Sequence, residues 1–251
     1  MSASVTSVAV AGASGRLGTL ICEVVDSHPE FELVARLSSR SGEADGADAQ
    51  IFVDVTTPEA SPGLVERAVR RGQKVLVGTS GWSSERIAGL TDLVTEVEGA
   101  GVIVVPNFSL GSVLGTALAQ IAAPYFDSIE VIEAHHQGKI DSPSGTAVRT
   151  AELMAEARER AGCGPVESPY ADQRARGELV AGIPVHSLRL AGVVAKQEVR
   201  FGGAGEVLTV QHDTISGESY VAGIRAGLEA VRDAAGLTVG LNRVLGLGAD
   251  L

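Results

Sequence analysis

The sequence predicts an α/β protein, in which a domain with a parallel, doubly wound sheet carries a smaller inserted α+β domain. Five short apolar runs alternate with amphipathic helical patterns between residues 5 and 108, which is typical of a parallel sheet with helices on both faces. Three strand-like segments follow closely between residues 183 and 212, which indicates a mixed, mostly antiparallel sheet. A last helical pattern returns to the first architecture. The predicted domains are therefore 1–108 with 217–251, and 109–216.

The elements of the first domain follow from apolar periodicity and from turn residues. Its strands are expected at 5–11, 31–37, 51–55, 74–77 and 102–105, and after the insertion a helix at 219–234 precedes a short strand at 237–241. One helix should end near Arg71, where Gly72 suits the position after the C-terminal cap. The next should begin at Ser83 or Ser84, since serine is a favoured N-terminal cap.

The inserted domain is predicted to combine two helices with a sheet. Its helices are expected at 110–121 and from Ser144 to about Ala161, and its strands at 128–135, 183–190, 193–201 and 206–212. The glycine-rich segment 202–205 is typical of a hairpin between the last two strands.

A glycine-rich turn follows the first strand and opens the first helix. It consists of Gly12, Ala13, Ser14, Gly15, Arg16, Leu17 and Gly18. This order of strand, turn and helix is typical of a Rossmann-like dinucleotide-binding domain, because the glycines let the backbone approach a pyrophosphate that the helix N-terminus receives. A tight turn without a ligand is the alternative interpretation.

The end of the second strand should contact the adenosine ribose of such a cofactor. An acid there favours NADH, whereas an arginine accommodates the 2′-phosphate of NADPH. The segment contains Ser38, Ser39 and Arg40, with no acid before Glu43, and Arg16 is a second candidate for the phosphate. We therefore expect NADPH to be favoured, with NADH as the other option. The alternative is that these arginines are only solvated.

Small polar residues end three further strands of the first domain. Because ligands of doubly wound sheets lie at the carboxyl ends of the strands, these residues are candidates to contact the nicotinamide half of the cofactor. They form three clusters, at residues 56–58, 78–80 and 106–109, which include Thr56, Gly78, Thr79, Ser80, Pro106 and Asn107. For any single one of them, an ordinary turn is an equally good interpretation.

The segment from Glu133 to Ala147 carries the chemistry that the sequence singles out. Three potential proton donors, His135, His136 and Lys139, precede a helix start at Ser144, Gly145 and Thr146. Unpaired N–H groups at a helix start suit a carboxylate, and imidazole or ammonium groups can protonate a bound anion. We therefore predict proton donation to a small anion. The alternative is one buried and one solvated histidine beside a solvated lysine.

Composition and charge exclude several other classes. No metal site is expected, because adjacent histidines on a strand point to opposite sides and no third ligand is near. The net charge of −11 argues against nucleic acid as a partner. No apolar run reaches the roughly 18 residues of a membrane span. The two cysteines, Cys22 and Cys163, indicate no disulfide framework, so a cytoplasmic location is expected.

With both halves in view, the chain resembles the dihydrodipicolinate reductases, also called 4-hydroxy-tetrahydrodipicolinate reductases. The matching segments are 12–18, 54–56, 78–81, 106–109, 133–139 and 141–147, extended by 189–192 and 202–206. The His-His-x-x-Lys-x-Asp-x-Pro-Ser-Gly-Thr string is specific to that family, whereas the glycine turn is shared with many others. The resemblance spans nearly the whole chain.

The resemblance implies an enzyme of the EC 1.17.1.8 type. It would reduce a cyclic dicarboxylate with NADH or NADPH in the diaminopimelate route to lysine, as a homotetramer joined through the sheets of the second domain. His135 would be the catalytic acid/base, Lys139 a proton donor, and His136, Gly145 and Thr146 would bind the substrate carboxylates. The cofactor would be lined by residues 12–17, by Gly78 to Ser80 and by Val105, Pro106, Asn107 and Phe108. Two departures are Ser80, where many relatives have threonine, and the missing ribose-binding acid.

Three other functions remain open on the sequence alone. One is another nicotinamide-dependent reductase or dehydrogenase of an amino-acid-like acid, which substrate tests would separate. A second is a dinucleotide-sensing regulatory protein, against which the cluster of proton donors argues. A purely structural assembly protein is the least favoured, because it needs neither the glycine turn nor the polar strand ends.

Overall fold

The computed structural model describes residues 5–42 and 44–247. This part of the chain forms two compact units, residues 5–108 with 220–246, and residues 109–219 with Leu247. The predicted second boundary, between 216 and 217, lies three residues before this division. Leu247 belongs to the second unit, although the prediction assigned it to the first domain.

The elements are numbered in chain order. The strands are β1 (Thr6–Ala11), β2 (Phe31–Leu37), β3 (Ile51–Asp54), β4 (Lys74–Val77), β5 (Gly101–Val104), β6 (Ser128–His135), β7 (Glu178–Val180), β8 (Ile183–Arg189), β9 (Ala195–Gly203), β10 (Glu206–Thr214) and β11 (Gly236–Val239). The helices are α1 (Arg16–Asp26), α2 (Ser61–Arg70), α3 (Ser84–Glu96), α4 (Leu110–Ala122), α5 (Gly145–Arg160), α6 (Val221–Arg232) and α7 (Leu241–Val244).

The first unit is built on a six-stranded parallel sheet in the order β11-β5-β4-β3-β1-β2. All four residues of β3 and of β5 are buried, as expected for strands that helices cover on both faces. The apolar face of α1, formed by Ile21, Val24 and Val25, is likewise buried. This confirms the predicted doubly wound, Rossmann-like architecture.

The second unit contains a five-stranded sheet in the order β10-β9-β6-β8-β7. Strand β6 lies at its centre, antiparallel to β9 and parallel to β8, and the remaining pairs are antiparallel. One face packs its apolar side chains against helix residues in a single core that includes Ile129, Val131, Met154 and Phe201. The predicted mixed, mostly antiparallel sheet is therefore confirmed.

Helices of the described residues include none that is both long and apolar enough to cross a membrane. Within the same residues, no group of three or more histidine, cysteine, aspartate or glutamate side chains is arranged to hold a metal ion.

Candidate active site

The glycine turn of the first unit is closed by the backbone. Gly12 adopts a φ of +84°, and a Cβ atom there would lie 2.3 Å from the Val55 carbonyl oxygen. A Cβ at Gly18 would lie 2.1 Å from the Gly12 carbonyl oxygen, so Gly18 is required for the helix to pack against the turn. Both positions therefore accept only glycine.

The start of α1 leaves its first N–H groups available to a ligand. Its N-terminal cap is Gly15, which offers no side-chain hydrogen bond. In contrast, Ser83 and Ser109 cap α3 and α4 with their hydroxyl groups. A helix start without a side-chain cap, reached by a tight glycine turn, fits the pyrophosphate of a dinucleotide.

The ends of β3 and β4 are joined by a hydrogen-bond network around buried Asp54. The Thr56 hydroxyl donates to Asp54 Oδ1 over 2.6 Å, and the Ser61 hydroxyl donates to Asp54 Oδ2. Thr79 Oγ1 accepts from the Thr56 N–H over 2.8 Å and donates to the Asp54 carbonyl oxygen over 3.3 Å. The hydroxyl of Thr79 is thus occupied within the protein. Trp82, 3.0 Å from Ser61 through its indole nitrogen, completes the network.

The residues predicted to contact the adenosine ribose are exposed after the end of β2. Ser38, Ser39 and Arg40 are exposed, and their backbone is turned by a hydrogen bond from the Ser38 N–H to the Ser41 hydroxyl of 3.0 Å. Arg36 donates to Asp26 over 2.6 Å. Arg36 is therefore already paired, whereas Arg40 forms no ion pair with any of the described residues, which leave out Glu43.

In the second unit, one of the three predicted proton donors, His135, contacts a buried carboxylate, that of Glu133 on β6. The Glu133 side chain is 0% exposed. Its Oε2 accepts from His135 Nδ1 over 2.6 Å and from Arg189 Nη1 over 2.9 Å. Its Oε1 accepts from Arg189 Nη2 over 3.0 Å and from the Ser144 N–H over 3.2 Å. One carboxylate therefore contacts both the histidine and the start of α5.

The donors around Glu133 determine its charge. Burial alone raises the pKa of the Glu133 carboxyl, but hydrogen bonds from His135, Arg189 and Ser187 outweigh it and lower the pKa to about 2. Glu133 is therefore ionised at neutral pH, and its oxygens can only accept hydrogen bonds.

Lys139 lies in the loop between β6 and α5. Its Nζ donates to Asp141 Oδ1 over 2.8 Å. That hydrogen bond from Lys139 lowers the pKa of the Asp141 carboxyl. The same loop is fixed to the sheet, because Arg189 Nη2 donates to the Asp141 carbonyl oxygen over 2.6 Å. His136 is exposed at the start of this loop.

At the start of α5, Ser144 differs from the two residues that follow. Ser144 is buried, its N–H is donated to Glu133, and its hydroxyl accepts from the Ala147 N–H over 3.3 Å. The prediction that Ser144 contacts a substrate carboxylate through its N–H therefore conflicts with the geometry. Gly145 and Thr146 are the first two residues of the helix, whose N–H groups have no intrahelical acceptor.

Comparison with known proteins identifies the chain's relatives. A family model described as "Dihydrodipicolinate reductase, N-terminus" matches residues 6–108, and one described as "Dihydrodipicolinate reductase, C-terminus" matches residues 111–245. A 4-hydroxy-tetrahydrodipicolinate reductase of Clavibacter michiganensis subsp. michiganensis is 57% identical over 242 residues, which is 96% of this chain and 87% of the relative. The Streptomyces coelicolor reductase is 45% identical over 96% of this chain and 98% of its own.

The chain belongs to the dihydrodipicolinate reductase family. Its activity is accordingly the NAD(P)H-dependent reduction of 4-hydroxy-tetrahydrodipicolinate in the diaminopimelate route to lysine. This decides against the sensor and the structural protein that the sequence left open.

Solved structures agree with the fold of this family. A dipicolinate-bound dihydrodipicolinate reductase from Paenisporosarcina sp. TG-14 has a TM-score of 0.80 and 30% identity, covering 95% of this chain and 99% of that chain. GenD2 of gentamicin A biosynthesis, solved with NAD, has a TM-score of 0.62 at 17% identity, so its likeness concerns the fold alone.

Two of the predicted cofactor residues contribute side chains to the reductase core. Val105 and Phe108 are buried, and the Phe108 ring occupies the space beside Gly78, where a Cβ would lie 2.6 Å from it. Any contact of Val105 or Phe108 with a cofactor would therefore be through the backbone. Pro106 is exposed and Asn107 is half-buried.

Sequence reasoning missed Glu133 and Arg189, which received no role although both stand in the segments that resemble the family. A signal for Glu133 was available. Ile129, Val131, Glu133 and His135 alternate along β6 on one face, so a glutamate interrupts an apolar row. A buried charge needs a partner, and the histidine two residues later on the same face is the nearest candidate.

Proposed function

We propose that the second unit holds the cyclic dicarboxylate with the start of α5 and the cations before it, and that His135 protonates the substrate. The observation that carries this proposal is the double contact of Glu133, which joins His135 and the helix start through one carboxylate. The N–H groups of Gly145 and Thr146 then receive one substrate carboxylate. His136 and Lys139 supply positive charge for the second carboxylate and for the electron-rich intermediate.

The reaction adds one hydride and one proton to the ring, and the ring hydroxyl leaves as water. The bound nicotinamide supplies the hydride. His135 delivers the proton to the enamine carbon that hydride addition creates, and Lys139 assists as a second donor. A positioned acid of this kind contributes about 10²–10⁴-fold to the rate.

The residues of the first unit fit a dinucleotide. The closed turn at Gly12 and the uncapped start of α1 suit the pyrophosphate, and Ala13 to Leu17 form the remainder of that cradle. We assign the nicotinamide half to the ends of β3, β4 and β5, at Thr56, at Gly78 to Ser80 and at residues 105–108.

We further propose that NADPH is preferred over NADH. Arg40 follows β2 on an exposed turn with Ser38 and Ser39, whereas the neighbouring Arg36 is bound to Asp26. Arg40 is therefore the better candidate for the 2′-phosphate, with Arg16 at the start of α1 as its helper.

The substrate assignment is tested by steady-state kinetics with substrate supplied by the preceding synthase. Replacing Lys139 by alanine should lower kcat by about 10²-fold or more, since a proton donor is lost, and leave cofactor affinity unchanged. Lys196→Ala is the matched control, because Lys196 also pairs with an aspartate of this unit, at 3.7 Å from Asp213. Equal losses in both variants, or equal loss of cofactor binding, would refute the role of Lys139.

The cofactor preference is tested with Arg40→Ala. We expect kcat/KM for NADPH to fall about tenfold or more, because a hydrogen bond to a charged group is worth roughly 1.5–3 kcal/mol, while the value for NADH stays constant. Arg36→Ala serves as the control, since it removes a nearby charge that Asp26 already neutralises. Equal effects on both cofactors would contradict the assignment.

The oligomer is proposed to be a homotetramer joined through the sheets of the second unit. The sheet face opposite α4 and α5 exposes large apolar side chains, with Leu179 48%, Leu188 40% and Val207 70% exposed. Light scattering of the purified protein would decide this, and a monomer would refute it. We also assign the enzyme to the cytoplasm, which is consistent with the free thiols of Cys22 and Cys163.

A further inference from the structure

We propose that Glu133 is the positioning residue of the reductase, which fixes the tautomer of His135 and attaches that histidine to the substrate-binding helix start. Arg189 holds Glu133 in its ionised form. This inference rests on the proposed role of His135 as the proton donor. The three residues Glu133, His135 and Arg189 are called the inner cluster below.

The sheet brings the inner cluster together. Glu133 and His135 are two residues apart on β6, so their side chains share one face. The parallel pairing of β6 with β8 places Arg189 directly opposite His135. The Leu190 N–H also donates to the His135 carbonyl oxygen over 2.9 Å, which holds the ends of the two strands together.

The Glu133 carboxylate fixes the tautomer of His135. Because ionised Glu133 can only accept, His135 Nδ1 must carry the hydrogen of the 2.6 Å bond. In the neutral ring Nε2 then holds the lone pair, and in the charged ring Nε2 holds the transferable proton. Nε2 is therefore always the atom that exchanges a proton with the substrate.

Arg189 extends this positioning to the loop with Lys139. Besides its two bonds to Glu133, its guanidinium donates to the carbonyl oxygens of Asp141 over 2.6 Å and of Leu188 over 2.7 Å. The fork geometry of arginine suits this combination, and lysine could not reproduce it. The inner cluster thus connects the proton donor, the lysine loop and the helix start.

The same strand offers a matched control. Glu130 accepts from His186 Nε2 over 2.6 Å and from Arg176 Nη2 over 2.5 Å. We call these three residues the outer cluster. Glu130 is three positions from Glu133 and therefore on the opposite face of β6, which is the face proposed for the oligomer contact, and its side chain is 32% exposed within one protomer.

The decisive variant is Glu133→Gln. Both oxygens of Glu133 accept hydrogen bonds from donors. The amide NH₂ of the new glutamine is itself a donor, so it must point at one of these donors. Arg189 and the Ser144 N–H cannot become acceptors, whereas a neutral imidazole can by shifting its hydrogen to Nε2. The NH₂ therefore turns to Nδ1, and His135 adopts the wrong tautomer, with a fall in kcat of about 10²-fold or more.

The experiment combines ¹⁵N NMR of the histidine rings with steady-state kinetics. We expect His135 to carry its hydrogen on Nδ1 in the wild-type enzyme and on Nε2 in Glu133→Gln. The KM for the nicotinamide cofactor should stay constant. Glu130→Gln, in protein that light scattering shows to keep the wild-type oligomer, should change kcat by less than about threefold. In a His135→Gln background, Glu133→Gln should cause no further loss, because both changes then act on one function.

Three results would overturn the inference. They are a wild-type His135 with its hydrogen on Nε2, a Glu133→Gln enzyme with wild-type kcat, and an undiminished effect of Glu133→Gln in the His135→Gln background. The first requires no variant, so it decides the question even if Glu133→Gln does not fold. A His135→Gln enzyme with full turnover would instead refute the proposed function, while the NMR result still tests the pairing.

Discussion

The inner and outer clusters contain the same three residue types, each around a glutamate of β6, yet they differ in what surrounds that glutamate. The carboxylate–imidazole distance is 2.6 Å in both. The Glu133 side chain is 0% exposed, whereas that of Glu130 is 32% exposed. Only Glu133 also accepts a backbone N–H, from the start of α5. Two carboxylate–imidazole pairs of equal length therefore differ in burial and in the third contact of the carboxylate, and we expect only the inner pair to act in the proposed mechanism.

The electrostatics of the two carboxylates show the same contrast. Burial raises the pKa of Glu130 as well, and hydrogen bonds from His186 and Arg176 outweigh it, so that the pKa is lowered. For Glu133 the larger number of donors lowers the pKa to about 2. Glu133 therefore remains ionised at any pH well above 2.

Replacing each of the two histidines by glutamine should give the largest difference in kcat between the clusters. His135→Gln should lower kcat by about 10²–10⁴-fold, because it removes the proposed proton donor, with cofactor affinity unchanged. His186→Gln removes the equivalent ring of the outer cluster and should leave kcat within about threefold of the wild type. The kcat of both variants is measured with substrate supplied by the preceding synthase. Similar losses in the two variants would show that the clusters do not differ in function.

Replacing each of the two arginines by lysine should give an intermediate difference in kcat. Arg189→Lys keeps the charge beside Glu133 but loses the bonds to two carbonyl oxygens, so the lysine loop is less well held and kcat should fall by about tenfold. Arg176→Lys is the control, since the Arg176 guanidinium also pairs with a glutamate of β6, Glu130, and holds no loop of the proposed site. A larger loss of kcat in Arg176→Lys than in Arg189→Lys would contradict the proposed role of Arg189.

The smallest expected difference between the clusters is in the free energy of unfolding at low pH. The pKa of Glu133 is lowered from 4.5 to about 2, so between these values the unfolded chain binds more protons and stability rises with pH. The contribution of Glu133 is therefore fully present above its unfolded pKa and is lost as the pH falls through about 2. Urea unfolding of wild type and Glu133→Gln measures it as a difference in unfolding free energy.

That difference should be constant above roughly pH 5 and should shrink below it, with a weaker dependence for Glu130→Gln because its carboxylate has fewer donors and is 32% exposed within one protomer. A difference for Glu133→Gln that stays flat down to about pH 3 would show that the carboxylate is not held in its charged form.

Much of the fold was predictable, because apolar periodicity and turn residues are local signals. The bounds of β2, β4 and β6 agree with the prediction to the residue. Strand β7 and helix α7 were missed, since three and four residues respectively are too short to produce a period. Strand β9 begins two residues after its predicted start at 193, and β10 ends two residues after its predicted end at 212.

The candidate site was predictable only where its residues are neighbours in sequence. His135, Lys139 and the start of α5 fall within one segment, so their association was visible. Arg189 is 56 residues from Glu133, and the contact depends on β8 pairing in parallel beside β6, which no local pattern reveals. The same holds for His186 and Glu130, also 56 residues apart.

The hydrogen bond from Trp82 to Ser61 has a practical consequence for spectroscopy. Trp82 is the sole tryptophan of the chain, and it packs on the first unit's core beside the ends of β3 and β4. Its emission therefore originates in the first unit, and the unit that carries His135 contributes no tryptophan. Fluorescence can follow nicotinamide binding in every variant of the second unit, including those that no longer turn over.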